Sequence, residues 1–256
     1  MRSLILLFIV FVSVSSTRAQ SYSADNNNDG CVNIDDMLIL LSQFGSCNVV
    51  FPCGEVVLHQ GYEYSTVQIG NQCWFSENCR YLPSVSPSNV GSYINPQYYV
   101  YGYNGVDTTI AKQTASYINY GVLYNYSAIT TTLICPVGWH VPTDDEWQTL
   151  EITLGMNPVE ASSTGYRGTD QGTKLKSSSG WLYSGNGSDI SGFSGLPGGY
   201  RTFDGYFHDD GYFGYWWTST SFSVNAWPRQ LFFNLPEVGR ESHNQLDGLS
   251  VRCMLD

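Results

Sequence analysis

Charge is scarce in this 256-residue chain. Asp, Glu, Lys and Arg make up 13% of it, about half the ~25% of ordinary globular proteins. Basic residues are scarcest: 11 Lys and Arg stand against 22 Asp and Glu. That balance excludes a surface built to hold nucleic acid or an anionic membrane. Histidine is thin as well, with four scattered positions, His59, His140, His208 and His243. The seven cysteines include no C-x2-C pair, so zinc-ligand spacing is missing. No G-x-S-x-G occurs, which removes the nucleophile-elbow hydrolases. Beyond the N-terminal run Leu4 to Val12, no segment approaches the ~20 apolar residues of a membrane span.

Aromatics and glycine fill the space. Aromatics reach 15%, with 19 Tyr and 7 Trp, beside 26 Gly. So many rings exclude a disordered acidic tail, and the composition is not that of a coiled coil. The N-terminus reads as an export signal over residues 1–19. Arg2 gives the positive end, LILLFIVFV the apolar core, and Thr17-Arg18-Ala19 the small residues before a cut after Ala19. Export suits disulfides, and an odd cysteine count leaves one thiol free or paired between chains.

Residues 20–47 carry a candidate metal loop. In DNNNDGCVNIDD, oxygen-bearing side chains fall at loop positions 1, 3, 5, 9 and 12: Asp25, Asn27, Asp29, Asn33 and Asp36. Gly30 stands where the backbone must turn, Cys31 would offer its carbonyl, and Val32 would pack beneath the loop. The spacing wraps oxygens around one point, as Ca2+ requires. An Asx-rich linker is the competing reading of the same residues. A helix is expected to follow to Gly45, capped by Asp35 or Asp36, with Cys31 and Cys47 flanking it. The stretch DNNNDGCVNIDDMLILLSQFG resembles one repeat of a type I dockerin. That resemblance implies calcium binding and docking onto a cohesin-like partner. Dockerins carry two repeats, and one is found here.

After a linker at 48–54, residues 55–256 read as one module of short strands and turns. Tyr64 to Ile69 alternates as a half-buried strand should, Gly70-Asn71 makes a turn, and Cys73-Trp-Phe resumes the strand. Residues 83–104 look like loop. Thr143 and Glu146 form a capping box, opening a helix that runs to Leu154 with Trp147, Leu150 and Leu154 on one face. Residues 155–214, holding 14 of the 26 glycines, read as loops rather than helix. Two aromatic segments (215–220 and 229–235) and a final strand over 248–253 close the module.

Seven segments of this module resemble the Fibrobacter succinogenes major paralogous domain: TVQIGNQCWFSEN, YGVLYNYSAI, CPVGWHVPTDDEW, GTKLKSSSGW, GFSGLPGGYR, GYWWTST and GLSVRC. They run in family order. The resemblance implies an α+β fold: a loop-rich domain of the C-type-lectin-like or formylglycine-generating-enzyme type, with small mixed sheets and two helices. It leaves activity open. The family motifs that carry Cys135 and Cys253 imply a disulfide between them. Cys31–Cys47 and Cys53–Cys73 are the further pairs expected, leaving Cys79 unpaired.

The acidic trio Asp144, Asp145 and Glu146 suits a helix's first turn better than a glycosidase pair. His208-Asp209-Asp210 lacks a nucleophile motif, and His140 reads as a satisfied core residue. Glu-Pro-Asn, Gln-Pro-Asp and Trp-Asn-Asp, through which lectin-like folds hold sugar on calcium, do not occur. A recognition surface is left, because Tyr, Ser, Gly and Asn make adaptable binding loops. Among the tryptophans, Trp139, Trp147, Trp216 and Trp217 are assigned to the core. Residues 199–215 are the expected ligand site, through Tyr200, Arg201, Asp204, Tyr206, Phe207, Tyr212 and Phe213, on a segment with no strand period. The expectation is a secreted or cell-surface, calcium-binding, non-catalytic adhesion or ligand-binding protein with an extracellular glycan or protein ligand. The alternative is an accessory component of a polysaccharide-degrading system, tethered by the dockerin-like segment.

Overall fold

The computed structural model describes residues 32–34, 37, 53–131 and 133–256. The chain divides into two units, Met1–Val50 and Phe51–Asp256. In the first, Asn33 is a bend and Ile34 and Met37 are helical, so helix begins ahead of the expected cap at Asp35 or Asp36. Val32 is 71% exposed, so it is not the packed residue expected beneath the loop. The expected export signal, the expected metal ligands Asp25, Asn27, Asp29, Cys31 and Asp36, and the expected Cys31–Cys47 pair lie outside the described residues.

The second unit is a loop-rich α+β domain. β1 (Val57–His59) and β2 (Tyr62–Tyr64) form one hairpin, and β3 (Thr66–Ile69) and β4 (Gln72–Phe75) another. In the latter Ile69 faces Gln72 across the two-residue turn Gly70-Asn71, with Gly70 at φ +62°. This is the hairpin that the residue pattern predicts. β5 (Tyr98–Tyr99), inside the stretch read as loop, pairs with β6 (Leu123–Tyr124). β7 (Trp139–His140) precedes the capped helix. Then come β8 (Gly165–Arg167), β9 (Gly198–Arg201), β10 (Phe207–Asp210), β11 (Phe213–Trp216), β12 (Ser221–Phe222), β13 (Asn225–Ala226), β14 (Arg229–Phe232), β15 (Val238–Arg240), β16 (His243–Asn244) and β17 (Met254–Leu255).

Six of these form the principal sheet, in the order β10-β9-β11-β14-β15-β8, and four form a second, β3-β4-β17-β7. The helices are short: α1 (Thr108–Ala111), α2 (Ala115–Tyr120), α3 (Tyr126–Ile129), α4 (Asp144–Thr153), α5 (Pro158–Ala161) and α6 (Gln171–Leu175). Six helical segments thus replace the two expected, and α5 and α6 fall inside the glycine-rich stretch read as helix-free. Asn157 caps α5 and Pro158 opens it, a local signal that composition hides.

The final segment does not form the expected continuous strand. Residues 248–251 run extended and make single bridges to three elements: Gly248 to Arg201, Leu249 to Tyr124 and Ser250 to Trp216. A strand with a different neighbour at each step cannot build a ladder with any of them. Cys253 continues this seam, its carbonyl accepting from Phe75 N at 2.9 Å, and β17 follows.

Two clusters fill the interior. One gathers Tyr64, Phe75, Tyr124, Trp139, Trp217 and Val251. The other gathers Trp74, Trp147, Leu150, Phe193, Trp216 and Leu231, where α4 packs on the principal sheet. Trp139, Trp147, Trp216 and Trp217 are all buried, as expected. The disulfides are Cys53–Cys73 and Cys135–Cys253, and Cys79 is free and buried; all three agree with the expectation.

Candidate ligand-binding site

The segment expected to bind ligand is not loop. It supplies three strands of the principal sheet, and strand alternation divides its side chains between two faces. Tyr200 on β9 lies opposite His208 on β10, while Arg201 lies opposite Phe207. On β11, Tyr215 pairs with Gln230 and Phe213 with Phe232.

Arg201 leaves the candidate site. It is 1% exposed, its Nε donates to Ser88 O and its Nη1 to Leu246 O, each at 2.7 Å, and its guanidinium lies 4.7 Å from the Tyr99 ring. Those bonds commit it to holding loops, so it does not orient a ligand. Phe207 points the same way and meets Tyr101 at 5.1 Å. Asp204 is exposed in the β9–β10 turn, where it accepts from the Thr202 hydroxyl. It is therefore separated from the arginine that sequence reasoning paired with it.

The opposite, outer face carries the remaining predicted residues. Tyr206 and His208 stand 6.4 Å apart, His208 and Tyr200 6.3 Å, and Tyr200 and Tyr215 4.7 Å. Tyr215 meets Phe213 at 5.4 Å, and Phe213 stacks on Phe232 at 4.1 Å. Phe232, Phe233, Tyr212 and Tyr183 continue the path with gaps of 4.8, 5.5 and 5.9 Å. Nine rings therefore touch in sequence from Tyr206 to Tyr183. Its ends are open, with Tyr206 64% and Tyr183 74% exposed, while Tyr215 at its middle is buried. Phe213, Tyr200 and Tyr212 are half-buried, so they serve packing as well as surface.

Several features fix this path. Gly199 adopts φ +61°, and a Cβ there would stand 2.3 Å from His208 O. Only glycine allows β9 and β10 to close up at that point. Opposite it, Asp209 also takes positive φ, at +69°, and accepts from the Tyr215 hydroxyl at 2.9 Å. Burial, then the Asp209 charge, pushes Tyr215 far above the usual phenol range; burial and Asp209 bring Tyr200 to about 12. Both hydroxyls are donors at neutral pH. Lys176 is buried, and its Nζ donates to the carbonyls of Phe232, Phe233 and Leu235, each at 3.1 Å. It pins the turn that carries two of the rings. His243 lies 5.4 Å from Tyr200 and 5.3 Å from Tyr215, with Asp247 accepting at 3.1 Å from its Nδ1.

Sequence reasoning named four of the nine rings, Tyr200, Tyr206, Tyr212 and Phe213, and the segment 199–215 also holds His208 and Tyr215. It missed Tyr183, Phe232 and Phe233, because their approach depends on pairings between distant strands. The aromatic segment 229–235 was the available signal.

The candidate catalytic groups are engaged elsewhere. Asp144 accepts from Arg229 Nη1 at 2.6 Å and from Arg240 Nε and Nη2 at 2.9 and 2.8 Å. Burial alone would raise its pKa, but these guanidiniums outweigh it and bring the carboxyl down to about 2. Glu151 joins them, accepting from Arg229 Nε at 2.7 Å and Arg167 at 3.0 and 3.1 Å. Burial pushes its carboxyl up, and the two guanidiniums counter this. His140 is half-buried rather than core. Its Nδ1 meets Asp256 Oδ1 at 2.6 Å and its Nε2 meets both Glu146 oxygens at 3.0 Å. Among the described residues, no group of three or more His, Cys, Asp or Glu is placed to hold a metal ion. None of the described helices is long and apolar enough to cross a membrane.

No curated protein and no solved structure matches the chain. A family model does, over residues 67–254, which include β4 through the seam at 248–253 and every ring of the path. The chain therefore belongs to the Fibrobacter succinogenes major domain family.

Proposed function

We propose that the protein is a secreted, calcium-binding, non-catalytic ligand-binding protein that holds an extracellular glycan on the outer face of its principal sheet. The observation that carries this reading is the nine-ring path from Tyr206 to Tyr183. Sugar rings lay C–H faces on aromatic rings, and tyrosine adds a hydroxyl at low conformational cost. The carboxylates beside the path are engaged in holding it, Asp209 by the Tyr215 hydroxyl and Asp247 by His243. Export is supported by the N-terminal signal pattern and two disulfides. Calcium is supported by the oxygen spacing from Asp25 to Asp36. The C-type-lectin-like reading of the fold belongs to the same proposal.

A second reading makes the protein an accessory of an extracellular polysaccharide-degrading system, tethered through the dockerin-like segment to a cohesin-like partner. The exposure of Val32, Ile34 and Met37 favours it, since three apolar side chains on one short segment stand in solvent.

The test is a glycan array probed with the full exported chain in calcium buffer, followed by the same array with Tyr206→Ala. Selective glycan signals that fall in the variant support the reading. An array with no neutral-glycan signal, or neutral-glycan signals indifferent to Tyr206, removes it. Calorimetry on the chelator-stripped protein should show about one calcium per chain, lost in an Asp25→Ala, Asp29→Ala double variant.

A further inference from the structure

A cavity of about 450 Å³ opens beside the β1–β2 hairpin, closed by residues 80–83 and by Lys112 and Tyr117. It falls within the ~300–1,000 Å³ of small-molecule sites, and it shares no residue with the aromatic path.

Where the cations stand singles it out. Residues 53–256 contain nine Lys and Arg. Six of them are buried: Arg167, Lys176, Arg201, Arg229, Arg240 and Arg252. Lys174 is neutralised by Asp170 at 2.9 Å. The two left both line this cavity: Lys112, which has no ion pair among the described residues, and Arg80, which Glu77 meets at 3.6 Å from outside the lining; no lining residue is Asp or Glu. In a chain of formal net charge −11 this is a local inversion of sign.

Unused donors point the same way. Arg80 Nε is buried without a hydrogen-bond partner. The nearest carboxylate oxygen, Glu77 Oε2, stands 3.6 Å off and already accepts from the Tyr62 hydroxyl at 2.6 Å. Among the described residues, the Lys112 amine and the Tyr81 hydroxyl have no protein partner. Arg80 is nonetheless held in place. Its Nη1 donates to Tyr117 O at 2.5 Å, and its guanidinium lies 4.9 Å from the Tyr62 ring and 5.9 Å from the Tyr117 ring. Positioning the guanidinium beforehand lowers the ordering cost of binding.

We infer that this cavity binds an acidic sugar, a ring bearing a carboxylate. The carboxylate would sit between Arg80 and Lys112, a charge-assisted arrangement. The tyrosines would take the ring, by face and by hydroxyl. Leu82 and Pro83 offer too little apolar wall for a hydrocarbon ligand. This inference stands apart from the outer-face proposal and survives its failure.

The experiment is calorimetric titration of the full chain with digalacturonate, beside a neutral digalactoside and a sulfated disaccharide. Digalacturonate should bind about tenfold tighter than the neutral sugar. Lys112→Ala, an exposed residue with no hydrogen bond to lose, should weaken it about fivefold, and Lys112→Glu more, with melting unchanged. Tyr206→Ala should bind digalacturonate as the natural chain does. Several results overturn the inference: no millimolar binding of digalacturonate, equal binding of the neutral sugar, or natural-chain affinity in both Lys112 variants. Loss of binding in Tyr206→Ala would move the site to the sheet and overturn it too. Tighter binding of the sulfated sugar than of digalacturonate overturns the carboxylate assignment.

Discussion

Cys79 keeps its sulfur 3.4 Å from that of Cys253, whose disulfide partner is Cys135. Burial pushes its thiol up to about 12, and the thiolate is the reactive species. Iodoacetamide should therefore leave Cys79 unmodified in the native protein and alkylate it after denaturation, as peptide mapping will show. Native labelling at Cys79 would contradict its burial. His140 titrates in the opposite sense to a buried base. Burial alone would lower its pKa, but hydrogen bonds from its ring to Glu146 and Asp256 reverse this and raise it. A raised folded pKa contributes stability in full below the unfolded value of ~6.5, and that contribution disappears as pH rises through the folded value. His140→Gln should therefore lower the melting temperature more at pH 5.5 than at pH 9. An equal loss at both pH values would mean that the imidazolium is not the stabilising form.

At the scale of elements, α4 shows what was readable and what was not. Its capping box is present as predicted: Thr143 Oγ1 accepts from Glu146 N at 3.2 Å, and Glu146 accepts from Thr143 N at 2.7 Å. Such signals are legible because capping needs residues three apart. The β3–β4 hairpin was legible for the same reason. The first-turn acid Asp144 was read through the helix dipole alone. Its larger role, neutralising Arg229 and Arg240, depends on strands some 85 and 96 residues away. No local pattern carries that. Nor could composition place the strands of 199–215, whose faces are set by neighbours elsewhere in the chain. Removing Asp144 leaves two guanidiniums short of a partner, so Asp144→Ala should cost about 3–5 kcal/mol in chemical denaturation. Because its folded pKa is depressed to about 2, its contribution is complete above the ordinary ~4 and is lost as pH falls toward 2. A stability difference between Asp144→Ala and the natural chain that persists unchanged at pH 2 would contradict this account.

At the scale of the whole molecule, the disulfides and the aromatic face answer to one design. Cys135–Cys253 spans 118 residues and Cys53–Cys73 spans 20. In the chain-entropy model the longer loop is worth about 4–5 kcal/mol and the shorter about 3 kcal/mol. Replacing Cys135 and Cys253 together by Ala should therefore lower the melting temperature more than replacing Cys53 and Cys73; the reverse order would put the stabilisation elsewhere. The seam that Cys135–Cys253 anchors, residues 248–253, bonds β9, β6, β11 and β4 in turn, and so braces the strands whose outer sides carry Tyr200, Phe213 and Tyr215. The central claim is that these rings bind glycan while the interior holds the sheet. It is tested most directly by affinity electrophoresis of the natural chain and a Tyr183→Ala, Tyr206→Ala double variant, which removes the two exposed ends of the path, through gels containing soluble neutral plant and bacterial polysaccharides, with thermal melting alongside. The account predicts that at least one polysaccharide retards the natural chain, that the double variant runs freely, and that it melts within a few degrees of the natural chain. Unretarded migration in every gel, or equal retardation of both proteins, would contradict it.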